Sequence, residues 1–142
     1  MTILDTNVVS ELIAMSPSEV VVHWISSQRL LDDLLLTAVT VAEILYGVEL
    51  LPKGKRRDRL HQQAQAMFAE DFAGRVLPFD EQAARAFAPI TASRRAQGRP
   101  IAEFDAQIAA IARVHDATLA TRNTDDFEGC GVRLINPWES GA

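Results

Sequence analysis

Short apolar runs alternate with stretches of helical spacing along the whole chain. Thr2 to Leu4 reads as a strand cut off by Asp5-Thr6-Asn7. Ser16-Pro17-Ser18-Glu19 predicts a helix start, with Ser16 as cap, Pro17 at the first helical position and Glu19 closing a capping box. The run 34–39 is short enough for a buried strand, and a helix is expected over 41–51, stopped by Pro52-Lys53-Gly54. Residues 56–72 carry Leu60, Ala64, Met67 and Phe68 on one helical face, and 75–79 reads as a strand. Asp80 opens an Ala-rich helix to Gln97-Gly98 with a kink expected at Pro89. A helix over 102–115, a strand over 117–120, a turn at Gly129 and Gly131 and a strand over 132–135 complete the series. Strands alternating with amphipathic helices predict an α/β protein with a largely parallel sheet. No repeat or linker interrupts it, so residues 1–142 are read as one domain.

Composition narrows the class. Of 142 residues, 48% are hydrophobic and 23% charged, which places the chain among globular proteins. Nineteen acids against fourteen Lys and Arg leave a net charge of −5, which excludes a generally basic surface. The lone Cys130 excludes an internal disulfide and a cysteine-based zinc site, as suits a reducing cytoplasm. His23, His61 and His115 lack ligand spacing. No run approaches the roughly 18 apolar residues of a membrane helix, and Met1-Thr2-Ile3-Leu4-Asp5 lacks the basic start of a signal peptide. A soluble cytoplasmic protein with no membrane partner is the expectation.

Several carboxylates stand where carboxylates are costly. Asp5 follows a strand, where open α/β sheets bind ligands, although it also suits an N-cap. On a helix, Asp105 is surrounded by Ile101, Ala102, Ile108, Ala109 and Ala112, so it leaves the core-facing side and needs a partner, which a buried ion pair, a cap or a cation could supply. Glu43 closes a possible capping box in Thr40-Val41-Ala42-Glu43, yet Gly47 one turn on leaves space for something to approach. Thr121-Arg122-Asn123-Thr124-Asp125-Asp126-Phe127 again follows a strand, and there Asn123 could cap a short helix. Converging carboxylates repel one another, and divalent cations relieve that repulsion. Oxygen donors without His or Cys suit Mg2+, with Mn2+ able to substitute. Metal-assisted hydrolysis of a phosphodiester is the reaction class these residues suggest.

Taken in order, Leu4-Asp5-Thr6-Asn7-Val8, Val41-Ala42-Glu43-Ile44-Leu45-Tyr46-Gly47, Phe104-Asp105-Ala106-Gln107-Ile108-Ala109-Ala110 and the 121–127 segment resemble the motifs of PIN-domain ribonucleases. The ending Ile135-Asn136-Pro137-Trp138 is similar to that of VapC-like toxins, FitB-like members included. The resemblance spans essentially the whole chain. It implies a single PIN-like domain with a four- or five-stranded, mainly parallel sheet flanked by helices and a Mg2+-dependent endoribonuclease site at one end. It matches Asp5, Glu43 and Asp105 to three family acids, both catalytic and metal-binding, with Thr6, Asn7 and Thr121 in support. Many relatives carry an acid where this chain has Asn123, so Asp126 is read as the fourth acid and Asn123 as a supporting residue. It further implies a homodimer, a VapB-type antitoxin that holds the toxin inactive, and a structured RNA substrate, tRNA among them.

Two other readings compete. A phosphatase of the haloacid dehalogenase type would use Asp5 as nucleophile but needs a second acid where Asn7 stands. A non-catalytic binding or regulatory module could keep the fold alone. The distribution of charge bears on the choice. Eight of the fourteen basic residues fall in two clusters, Lys53, Lys55, Arg56, Arg57 and Arg59, then Arg94, Arg95 and Arg99. They read either as solvated helix ends or as phosphate contacts flanking the cleft. Two divalent ions on four acids would bring the net charge to about −1, so the acidic balance is compatible with RNA.

Overall fold

Five apolar runs form the strands of one sheet: β1 (Thr2–Leu4), β2 (Leu34–Thr37), β3 (Val76–Leu77), β4 (Thr118–Ala120) and β5 (Arg133–Ile135). The computed structural model describes residues 1–28 and 33–139. The strand order is β3-β2-β1-β4-β5 and every pairing is parallel. The expected sheet is therefore present, with five strands. Around it lie α1 (Thr6–Leu12), α2 (Glu19–Ser27), α3 (Ala38–Glu49), α4 (Lys55–Ala66), α5 (Glu81–Ala96) and α6 (Glu103–Val114).

Strand alternation divides the core in two. Ile3, Leu35 and Leu119 face one side, where they pack with Ile108, Ile111 and Phe127. Their neighbours Leu4, Leu34, Leu36 and Ala120 face the other, against Val8, Val9, Trp24, Ile44 and Phe72. A sheet covered on both faces has apolar residues at successive positions, which is why β2 reads Leu-Leu-Leu and not as an alternating strand. In α6, Ala106, Ala109, Ala110 and Ala112 are all buried. Their small side chains favour helix and let α5 approach closely.

Local signals were less reliable than the periodicity. Ser16 does not cap α2. That helix starts at Glu19, and the Ser18 N–H donates to Glu11 Oε1 at 2.8 Å, a partner seven residues back that competes with the capping box. The Thr40-Glu43 box is also absent, because α3 starts a turn earlier than expected with Thr37 as its N-cap; Thr37 Oγ1 accepts from the Thr40 N–H at 3.1 Å. The helix expected over 56–72 becomes α4 followed by a π-helical turn, Met67–Asp71, that brings Phe72 into the core. β3 is shorter than 75–79 because only Leu36 and Thr37 of β2 pair with it. Asp80 caps α5 through the Ala83 N–H, and the helix runs on through Pro89 to Ala96.

Candidate active site

Parallel strands end on the same edge, and that edge gathers the site. Leu4 pairs with Ala120, so the next residues on both strands, Asp5 and Thr121, meet. The Asp5 N–H donates to the Ala120 carbonyl at 2.9 Å, and Thr121 Oγ1 donates to Asp5 Oδ2 at 2.7 Å. Asp5 Oδ1 accepts from the Thr6 N–H at 2.8 Å as the N-cap of α1, and Asn7 Nδ2 adds 3.3 Å to Oδ2. Capping and site placement are thus the same arrangement. Three of the roughly four lone-pair directions of the carboxylate are used, which leaves one uncommitted.

Glu43 stands within α3, a full turn beyond its start, so no backbone N–H claims it as a cap. A directed line of hydroxyls holds it instead. Thr37 Oγ1 donates to Thr40 Oγ1 at 3.4 Å, the Thr6 and Thr40 hydroxyls lie 3.0 Å apart, and Thr6 Oγ1 donates to Glu43 Oε1 at 2.8 Å. Because Thr6 spends its hydrogen on Glu43, Thr40 is the donor to Thr6. Sequence reasoning missed Thr40. Its sequence signal was only a hydroxyl directly after the apolar run 34–39, and the structure shows that hydroxyl to be buried.

Asp105 enters from α6, which leads back to the start of β4 and therefore begins at the edge where the strands end. Its carboxylate accepts no hydrogen bond from any described residue. Burial, then the charges of Asp5, Asp126 and Glu43, push its pKa up to about 6, while Arg94 pulls the other way. Asp5 is also raised, by burial first and then by Glu43 and Asp126, against the hydrogen bonds from Thr121 and Thr6. Asp5, Glu43 and Asp105 line one cleft of about 470 Å3 together with Thr6, Asn7 and Asn123. Ser10, Glu11, Arg122 and Trp138 complete its wall, and none of these four was singled out as a site residue from sequence.

Asp126 differs from the other acids. It is exposed on a 3-10 turn, Thr124–Phe127, and does not line the cleft, although its charge acts on both Asp5 and Asp105. Asn123 does line the cleft and makes no side-chain cap. Asp126→Asn should therefore lower the Asp105 titration below about 6. Carboxyl-carbon NMR of the metal-free protein reads this directly, and an unmoved titration would place Asp126 outside the cluster.

The basic clusters separate. Arg56 and Arg59 line a second groove of about 340 Å3 that shares Thr6, Ser10 and Glu43 with the acidic cleft. Gly47 lies on this groove, and a Cβ there would meet nothing within 4 Å, so the glycine does leave open space beside Glu43. Lys53, Lys55 and Arg95 are exposed, and Arg57 pairs with Glu49 at 2.6 Å. Arg99 reaches the Asp125 carbonyl at 3.0 Å. Arg94 corrects the expectation of a phosphate contact. It is 4% exposed, and its guanidinium is used on the carbonyls of Arg99, Asp126 and Glu128.

The donor set suits a hard divalent cation. Carboxylates converge on a cleft with no His or Cys beside them, and burial first, then the charges of neighbouring acids, raises the proton affinity of Asp5 and Asp105. Among the described residues no three His, Cys, Asp or Glu side chains are placed to hold a metal ion together, so a cation here would need water or substrate to complete its shell. Asn7, where a phosphatase would place its second acid, donates to Asp5 Oδ2 and Thr121 Oγ1 and, as an amide, cannot serve as a general acid or base. No helix among the described residues is long and apolar enough to cross a membrane.

Comparison with known proteins bears on the family and the fold. Toxin FitB of Neisseria gonorrhoeae is 44% identical over 138 residues, 97% of this chain and 99% of its own length. VapC ribonuclease Y4jK of Sinorhizobium fredii is 42% identical over 98% of this chain and 99% of its own. The crystal structure of FitAcB from Neisseria gonorrhoeae matches with a TM-score of 0.91 at 44% identity, covering 98% of this chain and 99% of the other. Residues 2–130 match the model of the PIN domain, and the chain belongs to the PIN-domain family as a VapC-like, FitB-like member.

Proposed function

We propose that this chain is a toxin that hydrolyses RNA phosphodiester bonds endonucleolytically with Mg2+, Mn2+ being able to substitute, and that a VapB-type antitoxin holds it inactive. The observation that carries this reading is the cleft that Asp5, Glu43 and Asp105 line together, in which the Asp105 carboxylate accepts no hydrogen bond from any described residue. Relatives named a toxin and a ribonuclease, each aligned over nearly the full chain, support it.

Divalent ions bound there would polarise the scissile phosphate, lower the pKa of the attacking water and stabilise the leaving oxygen. Asp5 and Asp105 would hold them centrally. Asp5 is fixed by Thr6, Asn7 and Thr121, and Asp105 is free of competing hydrogen bonds from the described residues. Glu43, fixed at Oε1 by Thr6, keeps Oε2 for a ligand or for the proton of water. Asp126, outside the cleft lining, would join the set through its charge on Asp5 and Asp105, with Asn123 in support on the cleft wall. Arg56 and Arg59, on the groove that meets the site at Glu43, would receive the RNA backbone. The same unpaired carboxylates would attract an Arg of the antitoxin.

Purified protein is expected to cut single-stranded RNA with Mg2+ and to stop with EDTA. Glu43→Gln keeps the hydrogen bond from Thr6 but removes the charge, so a fall of roughly 100-fold in turnover is expected. Turnover near wild type would reduce Glu43 to a structural acceptor. For the fourth position, Asp126→Asn should cost more activity than Asn123→Ala, and the reverse order would transfer the role to Asn123.

A further inference from the structure

The Asn136-Pro137-Trp138 ending has no part in the carboxylate chemistry, yet Trp138 and Arg122 form part of the cleft wall. The Arg122 guanidinium lies over the Trp138 ring, 5.0 Å from its centre. The pair is fastened at three points. The Arg122 N–H donates to Asn7 Oδ1 at 3.2 Å, Asn136 Nδ2 donates to the Arg122 carbonyl at 3.4 Å, and the Trp138 N–H donates to Asn136 Oδ1 at 2.9 Å. Through Asn7 this unit is tied to Asp5. Arg122 is exposed and, among the described residues, pairs with no carboxylate, although it stands in a cleft full of them.

We propose that Arg122, supported on Trp138, is a stacking platform for one unpaired nucleobase of the RNA next to the bond that is cut. The inference rests on the ribonuclease reading. A guanidinium over an indole presents a flat cationic face, and bases in single strands stack on arginine planes and aromatic rings. A base held within a duplex cannot reach such a face. The platform therefore positions a nucleotide through its base while the carboxylates act at its phosphate. Stacking reads no base edge, so it tolerates every base.

The test uses full-length protein in two arms. In the binding arm, Trp24→Phe leaves Trp138 as the single tryptophan of the two, and Asp105→Asn silences cleavage. With Mg2+ present, a mixed-sequence single-stranded RNA oligomer should quench Trp138 fluorescence, and an abasic ribose-phosphate oligomer of equal length should not. In the cleavage arm, Arg122→Ala and Arg122→Lys should each raise KM for the RNA oligomer about tenfold with kcat little changed, because lysine keeps the charge and lacks the plane. Equal quenching by the abasic oligomer, or a wild-type KM in Arg122→Lys, would overturn the platform and leave the ribonuclease reading intact. Selective quenching by the binding variant, with no cleavage by protein that retains Asp105, would leave a base-stacking face and remove the ribonuclease reading, and with it the placement beside a cut bond. Arg122 is exposed, so its variants should fold even if the Trp24 variant does not.

Discussion

Asp105→Asn is expected to lower RNA cleavage roughly 1000-fold and, in the same protein freed of metal, to raise the melting temperature at pH 7. The two effects have one cause. Asp105 titrates near 6 in the fold against an ordinary value of 3.8, because burial and the charges of Asp5, Asp126 and Glu43 penalise its ionised form. Between those two pH values the folded state holds a proton that the unfolded chain has released, so stability falls as pH rises through the interval. The penalty is complete at pH 7 and absent below about 4. Asn keeps the shape without the charge and removes the penalty. Allowing for solvent screening of a half-buried group, the gain is on the order of 1–2 kcal/mol, or roughly 3–8 °C. Thermal melts in EDTA at pH 4.5 and 7 would show the difference between variant and wild type growing with pH. Added Mg2+ should then stabilise wild type and leave the variant nearly unchanged. A variant that melts below wild type at pH 7 in EDTA would contradict the electrostatic account of the cleft.

Arg94→Ala is expected to destabilise the fold by about 3 kcal/mol. A cation that is 4% exposed survives in the interior only because carbonyls replace its water. Nε donates to the Arg99 carbonyl at 2.8 Å, and Nη1 donates to those of Asp126 at 2.7 Å and Glu128 at 3.0 Å. Truncation orphans these acceptors and frees the turn that carries Asp126. It also removes a positive charge that lowers the proton affinity of Asp105, which should then titrate above about 6. The urea midpoint should fall by roughly 1–2 M, and Arg94→Lys should recover only part of it, because a point ammonium cannot span acceptors arranged for a planar fork. An unchanged midpoint would mean that the three carbonyls are satisfied without Arg94.

Much of the site was legible before the fold. Asp105 stands out because its helical neighbours are apolar, and helical spacing is a purely local property. Asp5 and Thr121 stand out because each follows an apolar run that ends abruptly. The capping boxes failed for a related reason. A cap is a contest among nearby hydrogen-bond partners, and Glu11 reaches the start of α2 from seven residues away while Thr37 starts α3 a turn early. Signals made by one or two polar groups are easily outcompeted; signals spread over a helix face are not.

By itself, then, the sequence determined the alternation of strand and helix, the acids that face away from solvent and the family motifs, because each is written in local spacing. Tertiary structure decided what those residues meet. Pairing of Leu4 with Ala120 put Asp5 beside Thr121, and the crossover through α6 brought Asp105 to the same edge. Arg94 and Arg99, five residues apart, met different fates, one buried on carbonyls and one exposed. Arg122 found Trp138 across an intervening strand. Burial and partnership depend on chain segments distant in sequence, and only the closed sheet brings those segments together.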